Sequence, residues 1–131
     1  MKQVPNAEEL SNFDLREFKI PILEKYTDNR GYMYILYDKI FPDYIKVGRT
    51  SDLYKRQCQY NADKPFKTAK MIYISVMFED AKDIERRILS YMYDNTPPTT
   101  LSKEWFEIQH KEKILFIIEK AELGEIERLN S

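Results

Sequence analysis

The chain has 131 residues, of which 43% are hydrophobic and 14% aromatic, with a net charge of −1 and one cysteine. That length suits one domain, and the apolar content is enough for a packed core, which excludes a disordered chain. No apolar run approaches the ~20 residues that span a bilayer. A single cysteine excludes internal disulfides and cysteine-based zinc clusters, and the near-neutral balance excludes a histone-like binder.

Leu10, Phe13, Leu15, Phe18, Ile22 and Leu23 read as helical turns interrupted at Pro21, so residues 1–30 are expected to form a helical N-terminal arm. Residues 27–31 form the turn out of it, and Gly31 ends any helix before a strand begins. Residues 32–37, rich in aromatic and β-branched side chains, predict a buried strand. A loop holding Pro42 separates it from a second strand at 44–48, which suggests an antiparallel hairpin. Ser51 or Asp52 caps a helix reaching about Ala62. Residues 69–78 give the clearest strand. Asp80 opens the next helix, with Ile84, Ile88, Tyr91 and Met92 as its apolar stripe. Pro97-Pro98 forces a loop, and Trp105-Phe106 begins a short strand or anchors the core. From about His110 the chain is helical, with a break at Gly124. The order predicts an α+β domain, a small three-stranded antiparallel sheet flanked by helices over residues 31–107, with a C-terminal helical extension (108–131) packed on the same domain.

The N-terminus, Met1 to Glu9, lacks the basic-then-apolar profile of a signal peptide, so a cytoplasmic protein is expected, in the host cytoplasm if the source is viral. Cys58 falls in a helical pattern without a neighbouring histidine and reads as a structural thiol. Residues 31–70 hold eight Lys/Arg against four Asp/Glu, and residues 71–107 hold four against seven. A basic stretch beside an acidic one suits a phosphate-facing surface next to a metal-binding carboxylate; ordinary surface mixing gives the same numbers.

Four features fall in order. Gly31-Tyr32-Met33-Tyr34 begins the first strand, Lys46-Val47-Gly48-Arg49-Thr50 ends the second, Arg56 lies on the next helix, and Glu85 lies early on the helix after the third strand. This arrangement resembles the GIY-YIG endonucleases over about residues 31–107. Gly48-Arg49-Thr50 and Glu104-Trp105-Phe106 look most like the phage-type branch, in which the second motif begins with lysine, and the composition agrees with a viral or mobile-element origin. The resemblance implies a Mg²⁺-dependent DNA endonuclease, a phosphodiester hydrolase in which Mn²⁺ could replace Mg²⁺. It implies Tyr34, Lys46, Arg56 and Glu85 as catalytic residues, Glu85 as metal ligand, and Gly48, Arg49, Thr50 and Tyr60 as substrate contacts.

These residue types suit that chemistry. Hydrolysing a phosphodiester needs an activated water, neutralised charge in the transition state and help for the leaving oxygen. One glutamate is enough for Mg²⁺, which binds through one or two carboxylates plus water and substrate phosphate. Arg56 offers a planar, permanently charged fork. Tyr34 is a poor base unaided, since phenols titrate near pH ~10, and Lys46 on the neighbouring strand is expected to favour its phenolate. Each residue also has a plain structural reading: strand packing for Tyr34, solvated strand-end charges for Lys46 and Arg49, an Asp52 pair for Arg56, and a Lys82 pair for Glu85.

The sequence departs from the family pattern in three places. Lys46 stands where many relatives have tyrosine, Leu89 where this branch often has histidine, and Asn95 lies too close to Glu85 to inherit the role of the late asparagine. His110, the only histidine, reads as incidental. Two other readings stay open: a nucleic-acid-binding or regulatory protein that kept the fold without turnover, and an interaction module whose helical ends form a homodimer or partner surface. DNA is the expected partner, and no membrane is.

Overall fold

The apolar side chains of residues 31–38 are consecutive rather than alternate, a pattern that suits a strand covered on both faces. The computed structural model describes residues 2–3, 15–18, 29–95 and 104–124. Among these described residues there are five strands: β1 (Lys2–Gln3), β2 (Gly31–Asp38), β3 (Tyr44–Thr50), β4 (Ala69–Phe78) and β5 (Trp105–Glu107). Three α-helices accompany them: α1 (Leu53–Tyr60), α2 (Ala81–Asn95) and α3 (Lys111–Glu122). The strands form one sheet in the order β1-β4-β2-β3-β5, with every neighbouring pair antiparallel.

The expected α+β class is present, and β2, β3 and β4 are the three expected strands. The short segment at Trp105 extends one edge of the sheet and Lys2–Gln3 the other. β2 is central, and its Met33, Tyr34, Ile35 and Leu36 are at most 1% exposed. Burying side chains of this size stabilises the fold by roughly 1.5–3 kcal/mol each.

Each face of the sheet has its own core. Met33, Ile35, Ile45 and Val47 meet Ile88 and Met92 of α2 and Ile114, Ile117 and Ile118 of α3. On the opposite face Tyr34, Leu36, Met71 and Ile74 meet Leu53 of α1 and Leu15 of a short 3₁₀ turn, Leu15–Glu17. Strict alternation would put Met71 and Ile74 on opposite faces of β4. A register shift against β2 between Ile35 and Leu36 brings them to the same one, and at a second shift, between Tyr32 and Tyr34, the Ser75 hydroxyl accepts a hydrogen bond from the Met33 amide at 2.9 Å.

Local chemistry sets the element ends. Asp52 caps α1, its Oδ1 accepting from the Lys55 amide at 3.0 Å, and Asp80 caps α2 through the Asp83 amide at 3.1 Å. Gly124 takes a left-handed φ of 76° just past α3. The apolar stripe of α3, Ile114, Leu115, Ile117, Ile118 and Ala121, packs into the core of its own domain. Cys58 is exposed and not a core thiol: it lies on the outer side of α1. No helix among the described residues is long and apolar enough to cross a membrane. The arm expected over residues 6–27 falls largely outside the described residues, of which Leu15–Glu17 alone shows a helical turn there. The Pro97-Pro98 loop and the chain after Gly124 lie outside them too.

Candidate active site

β5 pairs with β3 through Tyr44, Ile45 and Lys46, and the pairing is extended by bonds from the Val47 amide to the Glu104 carbonyl and from the Ile108 amide to the Asp43 carbonyl. The last residues of β3, Gly48 to Thr50, run past the end of β5, and side chains from both faces of the sheet converge there.

Tyr34 stands directly opposite Gly48 in the β2–β3 ladder. Residues opposite each other in an antiparallel pair share a face, so the phenol lies across the glycine. A Cβ at Gly48 would sit 2.6 Å from Tyr34 Cζ and closer still to Oη. Gly48 is therefore required by close approach of the ring. The Tyr34 and Tyr60 hydroxyls are 3.1 Å apart, and their rings meet edge-on. Arg56 and Tyr60 are four residues apart on α1, hence on the same side of the helix. The Arg56 guanidinium also reaches the Tyr34 hydroxyl.

Lys46 is opposite Leu36, one diagonal step from Tyr34. Its ammonium is 3.1 Å from Glu104 Oε2 and 4.8 Å from the centre of the Tyr60 ring. Burial pushes the lysine pKa down, but Tyr60 and Glu104 outweigh it and raise it, so the ammonium stays charged. The expected tuning of Tyr34 by Lys46 does not emerge from this geometry, because the lysine addresses Tyr60. Tyr34 has 0% exposure, and burial lifts its phenol well above the ordinary tyrosine range. Tyr60 adds to that rise, and Arg56 opposes it without cancelling it.

Glu85 approaches from the other face on α2. Its Oε1 is 3.5 Å from Arg49 Nε, so its charge partner is Arg49 rather than Lys82. Arg86 and Arg87 turn instead to Asp83. Arg49 Nε is buried without a hydrogen bond, its contact with Glu85 being too long for one. Burial raises the Glu85 carboxyl above its ordinary value; Arg49 and Arg56 pull it down, and Glu104 pushes it up. Among the described residues no three His, Cys, Asp or Glu side chains group closely enough to hold a metal. A cation here would rest on Glu85, with Glu104 the nearest acidic neighbour acting on it, a hard-oxygen set that suits Mg²⁺ with water and phosphate completing its shell.

Tyr34, Lys46, Gly48, Arg49, Arg56, Tyr60 and Glu85 are thus linked in one continuous group. Thr50 takes another part: its hydroxyl accepts from the Asp52 amide at 3.1 Å and donates to the Asp52 carbonyl at 3.2 Å, fixing the start of α1. Glu104 belongs to the group although sequence reasoning gave it no role. Its place at the head of Glu104-Trp105-Phe106, a segment already singled out, was the available signal. Leu89 packs against the core, and His110 closes the 3₁₀ turn before α3. The side chain of Asn95 lies outside the described residues.

Fold and site together define a small α+β domain that gathers arginines, hydroxyls and carboxylates at the open end of a β-hairpin. A family model for the T5orf172 domain matches residues 31–122, well over half of the chain. The protein belongs to that family, a phage-associated domain of the nuclease-related group. No curated protein and no solved structure gives a significant match.

Proposed function

We propose that the domain is a GIY-YIG-type endonuclease that hydrolyses DNA phosphodiesters with a divalent cation. The observation that supports this reading best is the convergence at Gly48-Arg49: Glu85 arrives from one face of the sheet, and Tyr34, Tyr60 and Arg56 from the other. Neither a packing role nor a surface ion pair asks for a buried tyrosine, a second tyrosine on its hydroxyl and two arginines around one carboxylate.

Arg56 and Arg49 hold the scissile phosphate, the guanidinium fork matching its oxygens. Glu85 holds Mg²⁺, or Mn²⁺ in its place, which when bound neutralises developing charge and lowers the pKa of water. The base is the tyrosine pair rather than Tyr34 acting alone. Tyr34 is too deeply buried to ionise readily, whereas the partly exposed Tyr60 touches both it and the Lys46 ammonium. A proton taken up at this pair leaves through the Tyr60 hydroxyl, with Glu104 holding the Lys46 ammonium over the Tyr60 ring.

The test is conversion of supercoiled plasmid in Mg²⁺ against EDTA. The parent protein is expected to nick or linearise DNA only with the metal, and Glu85→Gln and Tyr34→Phe to be inactive while folded. Equal nicking by the parent and Glu85→Gln would overturn the assignment. The burial of Tyr34 favours one alternative, a domain that binds nucleic acid without cutting it. That reading predicts salt-sensitive DNA binding with no metal-dependent cleavage by any variant.

A further inference from the structure

The loop between α1 and β4 is held rigidly around an exposed aromatic ring. The Asn61 side chain bonds both backbone groups of Ala69, donating to its carbonyl and accepting from its amide, each at 2.9 Å. This closes residues 61–69 as a backbone pair would. Inside the closure Asp63 takes a left-handed φ of 63°, and the Thr68 amide donates to the Phe66 carbonyl at 3.0 Å. Lys64 crosses to the end of β2, where its ammonium bonds Asp38 Oδ2 at 2.5 Å. Burial alone would raise the Asp38 carboxyl, but Lys64 and the Ile40 amide outweigh it and keep it ionised. At the tip of this braced loop Phe66 is 74% exposed.

The surroundings of Phe66 are cationic. Residues 53–70 carry Lys55, Arg56, Lys64, Lys67 and Lys70 against Asp63 alone. Among the described residues Lys55, Lys67 and Lys70 have no ion-pair partner. An apolar protein partner would ask for a wider apolar surface than one ring between lysines. A paired duplex would leave the ring idle, because its bases are stacked on one another. A flat aromatic face among lysines is complementary to an unpaired base and its flanking phosphates.

We propose that the 61–68 loop binds single-stranded DNA, Phe66 stacking on an unpaired base while Lys67 and Lys70 meet the adjoining phosphates. Joined to the nuclease reading above, on which this consequence rests, it selects DNA with an unpaired segment beside the cut: a fork, flap or frayed end. The loop begins directly after Tyr60, so it adjoins the hydroxyl pair along the chain.

Fluorescence anisotropy tests it with a labelled mixed-sequence single strand and the same strand annealed to its complement, in EDTA so that cleavage cannot intervene. The parent is expected to prefer the single strand. Phe66→Ala should weaken that binding by about 5- to 150-fold, the worth of stacking one base, and leave duplex binding unchanged. Phe66→Trp should retain it, with its indole fluorescence quenched by the strand. Lys67→Ala with Lys70→Ala should reduce the salt dependence of binding. Parental single-strand affinity in Phe66→Ala, or an equal loss on duplex, overturns the proposal, and so does failure of the parent to bind the single strand. Glu85→Gln keeps the preference whether or not the domain cuts DNA, so failure of the nuclease reading and failure of this one are told apart.

Discussion

Replacing Gly48 with alanine adds one methyl group at the most crowded point of the site. The new Cβ would lie 2.6 Å from Tyr34 Cζ and nearer still to Oη, whereas ordinary contact begins at 3.4 Å. The ring must therefore withdraw by about 0.8 Å, well inside the repulsive wall. It cannot do so freely, because Tyr34 is fully buried among Leu36, Leu53 and Ile74. Overpacking of this kind costs about 1–3 kcal/mol. Displacing the hydroxyl also loses the 3.1 Å contact with Tyr60, a further ~1 kcal/mol. Restricting the unfolded chain returns about 0.4–1 kcal/mol, the gain alanine gives where the backbone tolerates it. The net expectation is a destabilisation of about 1–3 kcal/mol, or roughly 4–12 °C in Tm for a domain of this size. Chemical denaturation measures the first and calorimetry the second. Pairing Gly48→Ala with Tyr34→Phe removes the nearest clashing atom but leaves Cζ, so a double-mutant cycle should show partial relief with a coupling above ~0.5 kcal/mol. A Gly48→Ala protein as stable as the parent and cutting at the parental rate would refute the close approach of ring and strand.

Three other outcomes are expected. Glu85 has a raised folded pKa, so the native carboxylate is disfavoured relative to the unfolded one. The parent then loses stability as pH rises from the ordinary glutamate range through the folded value. Glu85→Gln should therefore match the parent in acid and gain on it toward neutral pH in urea melts; a constant or shrinking difference would mean that the Arg49 pair dominates. Arg56→Ala should slow cleavage by about 10²–10³-fold, comparable to losing one preorganised donor, with Arg56→Lys recovering part of it. Parental rates in both variants would make Arg56 a surface residue. Lys46→Met should shift the rate of metal-dependent cleavage downward, and in a Tyr60→Phe background it should shift it no further. Independent, additive shifts would show that Lys46 does not act through Tyr60.

Sequence alone determined the order of the elements from β2 to α3 and the burial of β2, because consecutive apolar residues at 33–36 fit no half-exposed strand; it missed β1, which lies in the stretch expected to be a helical arm. It also narrowed the cap of α1 to Ser51 or Asp52 and gave the stripe of α2, since capping and helical periodicity are local and need no knowledge of the rest of the chain. The residues of the candidate site, Glu104 excepted, were likewise nameable from motif order. Their partners were not, because partners are set by register and by which helix covers which face. The Tyr34–Gly48 pairing puts the phenol on Tyr60 and Arg56 and leaves Lys46 to Tyr60 and Glu104, a one-step diagonal that no spacing along the chain reveals. The register shift between β2 and β4 at Ile35 and Leu36 is similarly invisible in a run of apolar residues, yet it decides which of Met71, Tyr73 and Ile74 face which core. The pairing of Glu85 with Arg49 rather than Lys82 follows from the open end of β3, where opposite faces of the sheet come within reach of each other. Local sequence fixes backbone conformation through steric and hydrogen-bonding preferences a few residues wide. The meeting of side chains from β2, β3, α1 and α2 depends on long-range strand pairing, and only the tertiary structure decides that.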